Sequence, residues 1–163
     1  MMHGTIIRKG RWLIQEWDTE WYEKYKPTID YLLRMYRAGK GRMIDNVITN
    51  AGIAEMAKRN AGVSSSSNNK MLLGSANTPT PLASQTALSS QTGSVNLTSR
   101  TIEGTTERYL GSATTASVSN NNLGEIGLAA NTILISRVVV NPRILFNSGR
   151  TYTLMSLIAN SAG

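Results

Sequence analysis

Few side chains in this chain have the types and spacing that catalysis requires. His3 is the only histidine, and its nearest acids in sequence are Glu16 and Asp18. A triad base must be held in place, and nothing around His3 would hold it. Glu103 and Glu107 are four apart and would share a strand face, the minimal arrangement for glycosidic chemistry by paired carboxylates. The intervening Gly104-Thr105-Thr106 reads as a turn, however, which makes them solvated surface glutamates. Glu125 sits between apolar neighbours in Gly124-Glu125-Ile126-Gly127-Leu128. It is expected to pair with Arg137 or Arg143 within a sheet, ahead of contacting a neighbouring subunit. Gly39-Lys40-Gly41-Arg42 lacks the spacing and the Lys-Ser/Thr pair of a phosphate loop. Asn96-Leu97-Thr98 is formally a glycosylation sequon, which has meaning only on a secretory route. The chain has no cysteine, so disulfides and thiolate metal sites are excluded. No catalytic residue, metal or cofactor is expected.

Binding chemistry is more evident. Arg8, Lys9, Arg11, Lys24, Lys26, Arg34, Arg37, Lys40 and Arg42 are interleaved with all three tryptophans. Bases stack on aromatic rings and phosphates pair with Arg, so nucleic-acid contact is one reading. Seven acids share residues 1–60, and aromatic rings at helical spacing more often form a packing face. A protein docking surface is therefore preferred, with Arg11, Trp12, Trp17, Trp21, Tyr25, Arg34 and Arg37 as its partner-binding residues. Large aromatics and Arg dominate interface energetics. The alternative interior role for the tryptophans would make them the protomer's own core.

The elements behind these residues change abruptly near Gly62. Residues 61–163 hold 41 Ser, Thr or Asn and three acids, whereas residues 1–60 hold only seven Ser, Thr or Asn. The net charge of +7 is shared by both halves and implies an acidic partner, a membrane surface or nucleic acid if it implies any. No apolar run approaches the ~18 residues of a membrane span, and the N-terminus lacks the apolar core of a secretory signal. A soluble chain without a membrane partner is expected.

Residues 5–14 read as a short strand or extended arm. From Glu16, Trp17, Trp21 and Tyr25 recur every four residues, predicting one helical stripe. After Pro27, the spacing of Ile29, Leu32, Leu33 and Tyr36 predicts an amphipathic helix stopped by Gly39 and Gly41. A third helix is predicted over 45–60 with Asp45 as its N-cap, on the stripe Ile44, Val47, Ile48 and Ala51. Ser64 to Asn69 reads as a linker, and Thr78 to Thr92 as a long excursion. Strands are predicted over 70–73, 94–98, 108–118, 125–128, 132–140 and 152–159, with a bulge near Arg137 where the alternation slips. Short strands without intervening helices imply a mainly β fold, an antiparallel β-sandwich or jelly roll, preceded by an α-helical N-terminal region. Two units follow: residues 1–44, a docking arm with helices, and 45–163, a helix plus the sandwich.

Several segments also resemble a group of tailed-bacteriophage virion proteins. Asn46-Val47-Ile48-Thr49-Asn50-Ala51-Gly52-Ile53-Ala54-Glu55-Met56-Ala57 resembles that group's N-x-(I/V)-T-N-x-G helix, and Leu72-Leu73-Gly74-Ser75-Ala76-Asn77-Thr78-Pro79 its L-G-(S/T) turn. Thr86-Ala87-Leu88 resembles D-T-A-L, with Gln85 where the group usually has Asp. Gly124-Glu125-Ile126-Gly127-Leu128, Arg137-Val138-Val139-Val140-Asn141-Pro142 and Gly149-Arg150-Thr151-Tyr152-Thr153-Leu154 resemble its last three strands. The resemblance covers about residues 45–160. It implies a small β-sandwich with a packed helix, built into a phage particle without enzymatic activity. The resulting expectation is a non-enzymatic virion subunit, a homo-oligomer decorating or connecting capsid or tail and docked on a major capsid, portal or tail protein. The alternatives are a nucleic-acid-contacting capsid protein and a glycan-binding module of a tail fibre or spike. The sandwich offers a glycan only Tyr109, Phe146 and Tyr152.

Overall fold

The structure, a computed structural model, describes residues 6–162, with side-chain surroundings from 8 to 160. His3 lies outside the described residues. The fold is mainly β. Its elements are β1 (Ile6–Asp18), α1 (Thr19–Tyr25), α2 (Ile29–Arg37), β2 (Arg42–Ile48), α3 (Asn50–Asn60), β3 (Lys70–Gly74), β4 (Gln91–Asn96), β5 (Ser99–Glu103), β6 (Thr106–Ala113), β7 (Asn122–Ala130), β8 (Ile133–Leu145) and β9 (Arg150–Ala162). All strand pairs are antiparallel, in one nine-stranded sheet of order β4-β3-β7-β8-β2-β1-β9-β6-β5.

The two ends of that order are successive pieces of one extended run. The first half of 91–103 pairs with β3 and the second half with β6. The changeover takes two residues: the Leu97 amide donates to Asn69 O, and the Thr98 amide to Leu110 O. The sheet therefore curls until its ends touch. A Cβ on Gly111 of β6 would lie 2.8 Å from the Met71 sulfur of β3 and 3.3 Å from Val95 of β4. Curling in this way shortens the unpaired edges that would otherwise recruit other strands.

The N-terminal segment is not an arm. β1 pairs along its whole length with β9 and over Gly10–Ile14 with β2. Alternation then sends its residues to two cores. Trp12 and Ile14 point into the curled sheet with Leu73, Ile126, Ile135, Leu154 and Ile158. Leu13 and Trp17 point outward under α1 and α2, where Ile29, Leu32, Leu110, Met155 and Leu157 complete a second core. The Gln15 side-chain amide fastens this layer, donating to Leu32 O at 2.8 Å and Lys40 O at 3.0 Å.

Two expected helix boundaries move for physical reasons. Asp18, not Glu16, begins the first helix, and its carboxylate accepts the Glu20 and Trp21 amides as an N-cap does. Trp17 is the last apolar residue of the strand, yet it still stacks on Trp21 at 4.9 Å across the junction. Residues 42–48 are strand rather than helix, because β-branched Ile44, Val47 and Ile48 suit a pleated, half-buried surface between β1 and β8. Thr49 rather than Asp45 then caps α3. The boundary expected after residue 44 falls inside β2. In β8 the anticipated slip is present: Ile135 is an extra residue between the Leu134 and Ser136 pairings to β7. That bulge lets Ile133, Ile135, Val138 and Val140 all reach the inner core.

Because β1 is central, a chain truncated to begin at Arg42 is expected not to fold, which circular dichroism would show as loss of the cooperative transition. A truncated chain that melts like the parent would overturn this topology. Trp12→Ala should cost about 3–5 kcal/mol in denaturant melts.

Candidate functional site

The structure divides the seven anticipated docking residues. Trp12 has no exposed surface and Trp17 is 5% exposed, so both are corrected from partner contacts to the protomer's own core. A ring already desolvated by its own fold has nothing left to bury against a partner. Trp17 Nε1 donates to Thr153 Oγ1 at 3.0 Å, and Lys40 Nζ lies 4.4 Å above its ring. Trp21 is half-buried, while Tyr25, Arg11, Arg34 and Arg37 are exposed. Trp21, Tyr25 and Tyr31 form an aromatic ridge with ring centroids 5.4 and 6.0 Å from Trp21.

Arg11 and Arg37 both line a groove of about 870 Å³ between α2 and the outer face of β1. Residue alternation puts Lys9 and Arg11 on that face, with Leu157 and Ala159 of β9 opposite them. Leu33 and Arg37 form the α2 wall. Arg8 and Arg108 join the lining, whose carboxylates are Asp45 and Glu103. Arg108 is tied down: its Nη1 reaches Asp30 at 2.9 Å and Glu103 at 2.8 Å. Arg8, Lys9, Arg11 and Arg37 have no ion-pair partner among the described residues. Sequence reasoning gave Arg108 no part in this surface. It comes from β6, and only the order β1-β9-β6 brings it beside the N-terminal residues.

A second, buried cluster gathers the motif segments. The Glu125 and Arg137 side chains are fully buried and paired at 2.8 Å, on the sheet face opposite the inner core. Arg137 also donates to Pro79 O at 2.7 Å, Gln85 Oε1 at 3.2 Å and Ser89 Oγ at 3.3 Å. Glu125 accepts the Ser89 and Ser90 amides at 2.8 and 2.6 Å. The 75–90 excursion is thereby drawn over β7 and β8, and Leu88 is buried beneath it. The Asn50 amide adds a bond to Ala83 O at 2.7 Å. Gly52 lets α3 approach β8, since a Cβ there would lie 2.3 Å from Ile135 O. Glu125 thus has the intrasheet pairing expected of it, with Arg137; Arg143 instead donates to Ser75 O at 2.6 Å. The cluster satisfies its own charges and leaves no open position for a substrate.

Several of the remaining acids and tyrosines are committed to partners within the protein. Glu103 holds Arg108, while Glu107 accepts from Tyr109 Oη at 2.7 Å and Asn160 Nδ2 at 2.9 Å. Burial, reinforced by Glu107, pushes the Tyr109 phenol well above the ordinary tyrosine range. Burial likewise raises Tyr152, whose hydroxyl donates to Glu16 at 3.1 Å. Tyr109, Phe146 and Tyr152 are all buried, so the aromatic rings first considered for a glycan face inward. Glu55 accepts the Ser66 amide at 3.0 Å and Lys58 at 3.1 Å, and those bonds lower its carboxyl below the ordinary range. Among the described residues no three His, Asp or Glu side chains converge on one point. No family model, curated protein or solved structure matches the chain.

Removing one member of the buried pair strands the other charge. Glu125→Leu or Arg137→Met should each cost about 3–5 kcal/mol, and the Glu125→Leu, Arg137→Met double variant should recover much of that; additive costs would contradict the pairing. The lowered Glu55 carboxyl contributes stability that is full above the ordinary glutamate pKa and is lost as pH falls through its folded value. Parent and Glu55→Gln should therefore differ by a constant amount near neutrality and converge in acid, in melts followed against pH.

Proposed function

We propose that the chain is a non-enzymatic structural subunit of a tailed-bacteriophage virion, oligomeric in the particle and docked on capsid, portal or tail proteins. The observation that carries this reading is the convergence of its motif segments. The resemblance was drawn from short stretches spread over residues 45–160, and several of them meet at one buried cluster: Glu125, Arg137, Thr78-Pro79, Gln85 and the residues after Thr86-Ala87-Leu88. Unrelated coincidences of sequence have no reason to meet in space. Gln85 takes the place usual for Asp and still faces Arg137. The cluster then holds one carboxylate against one guanidinium instead of two.

The same cluster supports the sandwich-like arrangement that the resemblance implies. The β3-β7-β8 half of the sheet faces the β1-β9-β6 half across the inner core, and the pinned excursion covers one outer surface. α1 and α2 cover the other, leaving the basic groove and the aromatic ridge as its exposed features. Docking through Arg11, Trp21, Tyr25, Arg34 and Arg37 fits this surface, and Trp12 and Trp17 support it from below. Large aromatic and Arg side chains on a rigid base are the usual anchors of an interface.

The test is particle composition. Virions from a phage carrying this gene, banded by density and washed in high salt, should retain the chain at many copies per particle when peptides are quantified by mass spectrometry. Banded particles that lack it would sink the reading.

A further inference from the structure

The groove beside α2 has a chemistry more specific than positive charge. We propose that it receives an extended, acidic and partly apolar segment of a partner polypeptide, an inference that rests on the docking role above and names what docks.

Five basic side chains line it against the carboxylates of Asp45 and Glu103. Four of the five (Arg8, Lys9, Arg11 and Arg37) have no ion pair among the described residues. An anionic occupant is therefore favoured by charge, and the chain's own +7 disfavours a second copy in that place. The cations share the lining with apolar side chains, Leu33 of α2, Ile48 of β2 and Leu157 and Ala159 of β9. A segment that alternates carboxylates with apolar side chains matches this arrangement on both counts.

A nucleic acid matches it less well. Its phosphates carry regularly spaced negative charge, some of which would face Asp45 and Glu103. Single strands also gain affinity by stacking bases on aromatic rings, and among the described residues no ring lines this groove.

The probes are a fluorescein-labelled peptide alternating glutamate and leucine, the same peptide with serine for leucine, and labelled oligo-dT. Anisotropy is read on the full chain at low salt. The leucine peptide should bind more tightly than the serine peptide and than oligo-dT. Arg11→Glu with Arg37→Glu should lower its affinity about tenfold or more while leaving the thermal melt near that of the parent, since both side chains are exposed. Equal binding of the two peptides would remove the apolar part of the proposal. Tighter binding of oligo-dT with the same Arg dependence would make the groove a phosphate site instead, and no binding by any probe would overturn the proposal outright. None of these results depends on whether the chain is found in particles, so the two readings fail separately.

Discussion

The ion pair of Glu125 and Arg137 constrains the rest of the structure more than any other contact. Two charges removed from water are tolerable only when their remaining hydrogen-bonding capacity is met. Here that capacity is met by backbone and side chains of the 75–90 excursion. A hydroxyl-rich stretch with little apolar content would otherwise have weak reason to order. With the pair in place, the excursion becomes a wall of the protein and seals the outer face of β7 and β8. The same wall receives the N-terminus of α3 through Asn50 and Ala83, so helix, sheet and excursion are ordered together.

The opposite side of the sheet is organised by β1. One strand buries Trp12 and Ile14 inward and Leu13 and Trp17 outward, and so joins two hydrophobic cores through a single run of backbone. Two of the three indoles of this tryptophan-rich region therefore lie inside the fold. What reaches solvent is the second layer, made of Trp21, Tyr25 and the guanidinium groups around α2. Rigid support beneath such residues lowers the entropy lost when a partner binds.

Groove-lining and core residues are thus interleaved along one segment and separated by strand parity. On β1, Lys9 and Arg11 line the groove while Trp12, one residue on, is fully buried. The groove is completed by Arg108 and Leu157 from strands that follow much later in sequence. A groove assembled from β1, α2, β6 and β9 exists only when the sheet has curled and closed, which ties its integrity to the fold as a whole.

The sequence alone determined the elements whose residues report their own periodicity or punctuation. The amphipathic spacing of Ile29, Leu32, Leu33 and Tyr36 places α2, and Gly39 and Gly41, both with positive φ, end it. The strands around Glu125, Val138 and Leu154 follow from alternation, as does the partnership of Glu125 with a nearby Arg, because a carboxylate among apolar neighbours must be paired. The tertiary structure decided what depends on distant chain. Residues 42–48 have a pattern compatible with either helix or strand, and pairing with β1 and β8 selects the strand. Trp12 and Trp17 carry no mark in sequence to separate core from surface, since a large ring serves both uses. Their burial was settled by which strands came to lie on either side of β1. The groove is the same kind of outcome: its members are scattered from Arg8 to Ala159, and only the closure of the sheet gives them a common surface.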